Sequence, residues 1–185
     1  AFECALELFD RDIDFIEIMD DGQHALGNSL EWLKSYDKTY FLHAPITDIN
    51  ISSFDERYRK LSIERIKEHL ELMAPLDLKL MVVHPGFYVW RSNEGEAREA
   101  LKKSAFELEQ LQEEYSLEIT LENMGNWAIA LLKYPWEFED IPLSMTLDVG
   151  HAHIMGVLDE FLTDNIDIVH AHIHDNMGIH DEHLE

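Results

Sequence analysis

The sequence predicts an α/β fold, and three observations favour a (β/α)8 barrel over an open sheet. Strand-like apolar runs alternate with helical segments through the 185 residues, which is the pattern of parallel strands joined by helical crossovers. Several runs end in an acidic or imidazole side chain, and the sites of such barrels lie where the strands end. No glycine-rich phosphate fingerprint follows any run, whereas a doubly wound nucleotide-binding sheet carries one. We therefore expect one barrel domain over residues 1–185.

Six strands are predicted from the apolar runs. They start near residues 14, 40, 78, 117, 143 and 167, at intervals of about 25 to 40 residues. Continuous aliphatic runs such as LKLMVV indicate strands that are buried on both faces, as in parallel sheets. A complete TIM barrel has eight strands, so this chain would be a truncated barrel of about six β/α units. We expect its first strand before residue 1 and its last after residue 185.

Helices are predicted where apolar residues recur at intervals of three and four. They cover residues 2–9, 28–36, 56–74, 94–115 and 154–163, with a short helix and an aromatic loop at 126–140. The third helix carries a basic cluster that alternates with glutamates, namely Arg57, Arg59, Lys60, Arg65 and Lys67. We interpret this cluster as a solvent-exposed helix surface of mixed charge.

The net charge of the chain restricts the classes of molecule that it is expected to bind. The formal net charge is −24 at pH 7, and a surface this acidic repels a nucleic-acid backbone. A small-molecule substrate is therefore expected. The chain shows no signal-peptide pattern and no apolar run of membrane-spanning length, which predicts a cytoplasmic protein without membrane contact. The open edges of an incomplete barrel would be covered by a partner chain, by exchange between copies in a homo-oligomer, or by further chain.

Imidazole and carboxylate side chains cluster at the ends of the predicted strands. They are densest between Met145 and His183, and upstream His43, His84 and Glu122 each end a strand-like run. Together these groups form a ligand set that suits Zn²⁺, Mn²⁺ or Fe²⁺. The sequence therefore predicts a divalent-metal site on the face where the strands end.

The motifs LHAP, VVHPG, LEN, LDVGH, HIHD and DEH follow one another in this order. In this the chain resembles the xylose-isomerase-like TIM barrel superfamily, which contains the type IV apurinic endonucleases and the sugar or sugar-phosphate isomerases and epimerases. The resemblance covers nearly the whole chain. It implies a divalent-metal cofactor, zinc or manganese, with one to three ions bound at the strand ends.

The resemblance also implies the ligands of these ions. The implied ligands are His43, His84, Glu122, Asp148, His151, His172, Asp181 and His183. In the family Glu122 bridges the ions, and in the isomerases it pairs with a glutamate of the eighth strand as an acid/base. That second glutamate is expected beyond residue 185. The implied catalytic residues of this chain are Glu122 and His151, the latter as a ligand or as a contact to a substrate oxygen.

Other side chains are candidates for substrate binding, namely Arg91, Trp127 and His174. Arg91 is the local candidate for a phosphate contact, and Trp127 would line the pocket or pack at the barrel rim. His174 would alternatively donate to a nearby carboxylate such as Asp175. Glu17, inside the first strand, could point into a site, although an edge or inward structural acid is the simpler interpretation.

Departures from the endonuclease pattern favour an isomerase. Ile46 follows LHAP where the endonucleases have a tyrosine, and His174 stands where they have an asparagine. With the net charge of −24, these differences predict a metal-dependent isomerase or epimerase of a sugar or sugar phosphate. Two alternatives stay open. One is a metal-dependent phosphodiesterase of the type IV apurinic endonuclease kind, which the number of ligands favours. The other is a non-catalytic metal-binding barrel.

Overall fold

Six parallel strands form the centre of the molecule. A computed structural model describes residues 13–22, 30–76 and 78–184, and in these residues the strands form one sheet in chain order. The strands are β1 (Phe15–Met19), β2 (Thr39–His43), β3 (Leu80–Val83), β4 (Glu118–Glu122), β5 (Met145–Asp148) and β6 (Ile168–His172). Every neighbouring pair is parallel, which confirms the predicted α/β class.

The sheet curls until its two outer strands face each other. β1 and β6 lie at opposite ends of the strand order, yet Glu17 Oε2 of β1 lies 2.7 Å from His170 Nε2 of β6. Glu17 Oε1 also lies 3.0 Å from His172 Nε2. Because strand twist accumulates in one direction along a sheet, consecutive strands bend round to enclose a common interior. The described residues therefore form a curled half-barrel, as the barrel prediction requires.

Helices cover the outside of this curl. They are α1 (Leu30–Leu33), α2 (Glu56–Met73), α3 (Glu94–Tyr115), α4 (Val149–Met155) and α5 (Leu158–Thr163). The core lies between them and the sheet, where Leu70 of α2, Leu108 of α3 and Ile119 of β4 are almost inaccessible to solvent. No helix in the described parts of the chain is long and apolar enough to cross a bilayer.

The predicted helix at 154–163 was wrong in its bounds. Asp148 ends β5 and accepts the backbone N–H of His151 at 2.6 Å, so it caps a helix that already begins at Val149. Gly156 then adopts φ +69°, which is the left-handed conformation that ends α4. At 126–140 only a short 3₁₀ turn, Pro135–Phe138, forms. The predicted helix at 2–9 and residues 28 and 29 lie outside the described residues.

Arg59 corrects the interpretation of the basic cluster as an exposed surface. Its side chain is only 1% exposed, and its guanidinium lies between α2 and α3. It donates to Glu56 at 2.8 Å, to Ser104 at 3.0 Å and to Glu107 at 2.7 Å. A planar guanidinium can satisfy several acceptors at once, so Arg59 ties the two long helices together. Arg57, by contrast, is 89% exposed.

Gly86 fixes the loop that follows β3. Its φ is +87°, and a Cβ at this position would lie 2.3 Å from Ser52 Oγ and 2.4 Å from Asn50 Oδ1. Only glycine tolerates both the conformation and this approach. Asn50 Oδ1 also accepts the backbone N–H of Phe87 at 3.1 Å. The loops after β2 and β3 are therefore held together, directly beside His84.

Candidate metal centre

The carboxyl ends of the strands surround a cavity of about 470 Å³. This is the face on which parallel barrels place their sites. Its acidic and imidazole lining consists of Glu17, His43, His84, Glu122, Asp148, His151, His170, His172, His174, Asp181 and His183. Its apolar lining includes Phe15, Met19, Ile46, Trp127 and Ile173. The cavity therefore combines a dense set of metal-type ligands with apolar walls.

Glu122, at the end of β4, lies at the centre of the cluster and is 2% exposed. Its Oε2 lies 3.1 Å from His84 Nε2 and 3.3 Å from His43 Nε2. Its Oε1 lies 3.1 Å from His172 Nδ1. Burial raises the pKa of this carboxyl, but the hydrogen bonds from His172, His43 and His84 outweigh burial and hold the pKa well below its ordinary value. Glu122 is therefore a carboxylate at neutral pH.

Asp148, at the end of β5, is a second buried carboxylate beside Glu122. Its Oδ1 lies 3.1 Å from His174 Nε2, and its Oδ2 lies 3.9 Å from His172 Nδ1. Burial raises the pKa of Asp148, and the charge of Glu122 adds to the rise while His151 opposes it. Two adjacent buried carboxylates are stable as anions only beside a compensating cation. The pair is suited to a positively charged ligand.

Backbone carbonyls orient two of the histidines. His43 Nδ1 lies 2.9 Å from the carbonyl oxygen of Ala44, and His151 Nδ1 lies 2.9 Å from that of Asn123. A carbonyl oxygen can only accept, so each Nδ1 carries a proton and donates it. In the neutral imidazole the Nε2 lone pair then faces the cluster, which is how ligating histidines are held in metal sites.

The donor set fits a divalent ion. The ligand atoms of Glu122, Asp148 and His172 lie within 4.8 Å of one another, and the same spacing holds for His43 and His84 with Glu122. Three more groups have this spacing: Asp148, His151 and His174; His174, Asp181 and His183; Glu17, His170 and His172. His174 Nδ1 is also buried without a hydrogen-bond partner in the described structure. Nitrogen and carboxylate donors in such sets are typical of Zn²⁺ and Mn²⁺ sites.

The cavity lining includes every ligand that the resemblance implied. Trp127 lines it too, 42% exposed and edge-on to the His151 ring at 5.3 Å between centroids. His174 reaches the cavity but contacts Asp148 instead of Asp175. Arg91 is not brought to the cavity, because it lies exposed at the start of a 3₁₀ turn, Arg91–Asn93.

Glu17 and His170 line the cavity although the sequence interpretation did not assign them to the site. For Glu17 a structural acid was favoured over a side chain that points into a site, yet it lines the cavity with Phe15. Alternation along β1 carries the signal, because Ile16 and Ile18 pack on the hydrophobic core and leave Glu17 on the opposite face. Burial raises the pKa of Glu17, but hydrogen bonds from His170 and His172 lower it to about 2.

Fold and cavity together define a parallel α/β barrel with a cluster of metal-type ligands at the carboxyl ends of its strands. The comparison with protein families is more specific. Residues 5–185 match the family of xylose isomerase-like TIM barrels. Since the match covers nearly the whole sequence, the chain belongs to this family, which confirms the resemblance read from the motifs.

Individual relatives agree with this assignment. An uncharacterised protein of Methanocaldococcus jannaschii is 38% identical over 97% of this chain and 74% of its own length. Among solved structures, a D-tagatose 3-epimerase-like protein is 32% identical over 99% of this chain and 75% of that chain, with a TM-score of 0.90. An IolI protein with a bound zinc atom is 24% identical over 94% of this chain and 67% of that chain, with a TM-score of 0.77. This last likeness shows the shared fold alone.

Proposed function

We propose that the protein is a divalent-metal-dependent isomerase or epimerase of a sugar. The observation that carries the proposal is the convergence of Glu122, Asp148 and His172 at the ends of β4, β5 and β6. These residues would hold the ion, and Glu122 would also transfer a proton. The 32% identity to a D-tagatose 3-epimerase-like protein supports the sugar-epimerase part of this proposal, and the five groups of metal-type ligands among the described residues support its metal dependence.

The chemistry follows from the state of Glu122. A divalent ion bound here would supply the Lewis-acid charge that polarises a carbonyl group. Glu122, held as a carboxylate by its imidazole neighbours, can take a proton from the carbon next to that carbonyl. Delivery of a proton to the opposite face by a second acid gives an epimer, whereas return of the proton by Glu122 to the former carbonyl carbon gives an isomer. His151 would contact a substrate oxygen through Nε2, which lies 3.3 Å from Asp181 Oδ2, because its Nδ1 donates to the Asn123 carbonyl.

The walls of the cavity favour an unphosphorylated sugar. No lysine or arginine occurs among the described residues that line the cavity, so apart from the ion and the imidazoles a phosphate group would find no guanidinium or ammonium partner of the kind that usually binds it. Arg91, the candidate phosphate contact, is exposed outside this lining. The acidic and imidazole groups instead suit hydroxyl and carbonyl oxygens, directly or through an ion.

A panel of free ketoses and their phosphates tests this proposal. The purified protein is incubated with each sugar in Mn²⁺ or Zn²⁺, and the products are separated by chromatography. We expect conversion of a free ketose that stops with a chelator and in the variant Glu122→Gln. Faster conversion of a sugar phosphate would overturn the inferred substrate class, and no conversion of any sugar by the metal-loaded protein would overturn the function.

A phosphodiesterase of the apurinic endonuclease kind is the second candidate. It is favoured by the ligand groups beside the central one, such as that of His43, His84 and Glu122, since several adjacent ions suit phosphodiester displacement. Elemental mass spectrometry of the wild type and His84→Ala would separate the candidates. Two or three zinc ions, falling by about one in the variant, together with cleavage of abasic DNA, would establish the second candidate. One ion, unaffected by the substitution, supports the isomerase.

A further inference from the structure

Glu17 bridges two histidines of β6 from the far edge of the sheet. Its Oε2 lies 2.7 Å from His170 Nε2, and its Oε1 lies 3.0 Å from His172 Nε2. Each carboxylate oxygen therefore accepts one imidazole N–H. The Glu17 side chain is 19% exposed and the His170 side chain 9% exposed, so these hydrogen bonds form largely away from solvent.

His172 faces two different environments through its two nitrogens. Nε2 points to Glu17, whereas Nδ1 points to Glu122 Oε1 at 3.1 Å and to Asp148 Oδ2 at 3.9 Å. The proposed ion would lie on the Nδ1 side, because Glu122 and Asp148 would be its other ligands. A carboxylate at Nε2 keeps the proton there and leaves the Nδ1 lone pair for the ion.

Two other histidines of the cluster, His43 and His151, are oriented by different hydrogen-bond acceptors. His43 and His151 donate Nδ1–H to backbone carbonyls and present Nε2 to the cluster. His172 uses the opposite nitrogens, and its acceptor is the side chain of Glu17 on another strand. Without that acceptor the imidazole can rotate or place its proton on Nδ1, and either change removes the ligand atom.

His170 completes the arrangement by holding the second oxygen of Glu17. The His170 ring packs edge-on against Phe41 and Phe15, with centroids 5.4 Å and 6.0 Å apart. These aromatic contacts hold the His170 ring in place, and the His170 ring in turn holds the Glu17 carboxylate. The orientation of His172 therefore depends on packing between β1, β2 and β6.

We infer that Glu17 is a positioning residue for the metal centre, which sets the tautomer and orientation of His172 so that Nδ1 faces the ion. The inference rests on the proposed metal-dependent function and deepens it. Glu17 would bind neither the ion nor the substrate. It would act through His172, and His170 would support it.

Metal affinity of the full chain is the test. Metal-free protein is titrated with Zn²⁺ in competition with a chromophoric chelator, for the wild type, Glu17→Ala, Glu17→Gln, His170→Ala and His172→Ala. Glu118→Gln is the matched control, because Glu118 is another strand carboxylate and its hydrogen-bond partner is Ser144 Oγ at 2.6 Å. Circular dichroism before each titration verifies the fold. The visible spectrum of the Co²⁺-loaded proteins reports on ligand geometry independently of stability.

We expect Glu17→Ala to weaken Zn²⁺ binding by about 10- to 100-fold, the usual effect of losing such a partner. Glu17→Gln should retain most of the affinity, because its amide oxygen still accepts from Nε2–H. The Co²⁺ spectrum should change in Glu17→Ala, and Glu118→Gln should match the wild type in both measurements.

Three outcomes would overturn the inference. If Glu17→Ala binds as tightly as the wild type while His172→Ala does not, the inference alone fails and the metal centre stands. If Glu17→Ala and His170→Ala each lose one whole ion without weakening the rest, Glu17 is itself a ligand. If the wild type binds no ion, the inference and the proposed metal-dependent function fail together.

Discussion

The protonation state of His172 is coupled to binding of the proposed divalent ion. Burial lowers the pKa of this imidazole, but hydrogen bonds with Glu122 and Glu17 outweigh burial and raise the pKa from 6.5 to about 10. In the metal-free protein His172 is therefore a cation that partly neutralises the acidic cluster. Since a ligating imidazole must be neutral, binding of an ion at Nδ1 displaces one proton.

The titration of His172 in the metal-free protein follows from this arrangement. Because the pKa in the folded state is raised, its contribution to stability is complete below pH 6.5 and is lost as the pH rises through about 10. NMR titration of the imidazole should show it protonated at pH 8, and Glu17→Gln should bring the pKa down towards 6.5. A wild-type midpoint near 6.5 would contradict the described contacts.

Gly150 provides a steric prediction beside the same cluster. A Cβ here would lie 2.1 to 2.6 Å from the ring atoms of His174. Gly150→Ala should therefore force His174 away from Asp148 and lower the free energy of unfolding by about 1–3 kcal/mol, as measured by urea denaturation. Gly95→Ala is the control, since a Cβ at Gly95 meets nothing within 4 Å and alanine stabilises a helix by about 1 kcal/mol. Equal effects of the two substitutions would refute the steric explanation.

At the level of single residues, the sequence identifies the groups that stand at strand ends. His43, His84 and Glu122 could be predicted to line the cavity because a strand-like run stops at each of them. Glu17 could not be assigned in the same way, because it lies within its strand. Alternation separates the two faces of β1, but only the curl of the sheet decides which face meets β6.

Secondary-structure elements were predicted well where one periodicity dominates. α2 and α3 have long apolar faces, and their bounds of Glu56–Met73 and Glu94–Tyr115 nearly match the predicted helices. The single helix predicted at 154–163 covers α5 but only the last two residues of α4, because the capping interactions of Asp148 and Gly156 compete with helical periodicity over a short stretch. Local hydrogen bonds determine such short elements.

The hydrogen bonds of Arg59 between α2 and α3 should contribute measurably to the stability of the fold. Arg59→Ala removes its hydrogen bonds to Glu56, Glu107 and Ser104 and should lower the free energy of unfolding by about 2 kcal/mol. The loss stays below that of a wholly buried pair, because Glu56 and Glu107 are 53% and 37% exposed. Chemical denaturation measures the change, and the exposed Arg57→Ala should stay within about 0.5 kcal/mol of the wild type. An Arg59→Ala effect as small as that of Arg57→Ala would show that the helices pack without this tie.

The whole molecule combines an acidic surface with a site of buried carboxylates and imidazoles. The net charge of −24 repels polyanions at long range. The described cavity lining contains imidazoles and carboxylates but neither lysine nor arginine. The parallel order of strands and the face of the site followed from sequence, because each strand ends in its own motif. The number of bound ions did not follow, since several ligand groups share Glu122, Asp148, His172 or His174. Association of copies along the sheet edges also stays a prediction.

Exchange of a sugar hydrogen with solvent tests most directly whether Glu122 transfers a proton to and from the carbon next to the carbonyl. The protein is incubated in D₂O with free ketoses, with and without Mn²⁺ or Zn²⁺, and NMR follows the carbon next to the carbonyl. If Glu122 transfers a proton there, deuterium should appear in one ketose in the presence of the ion, and neither chelator-treated protein nor Glu122→Gln should introduce it. Metal-loaded wild type that leaves every ketose unlabelled would contradict the assignment of this site to sugar isomerisation.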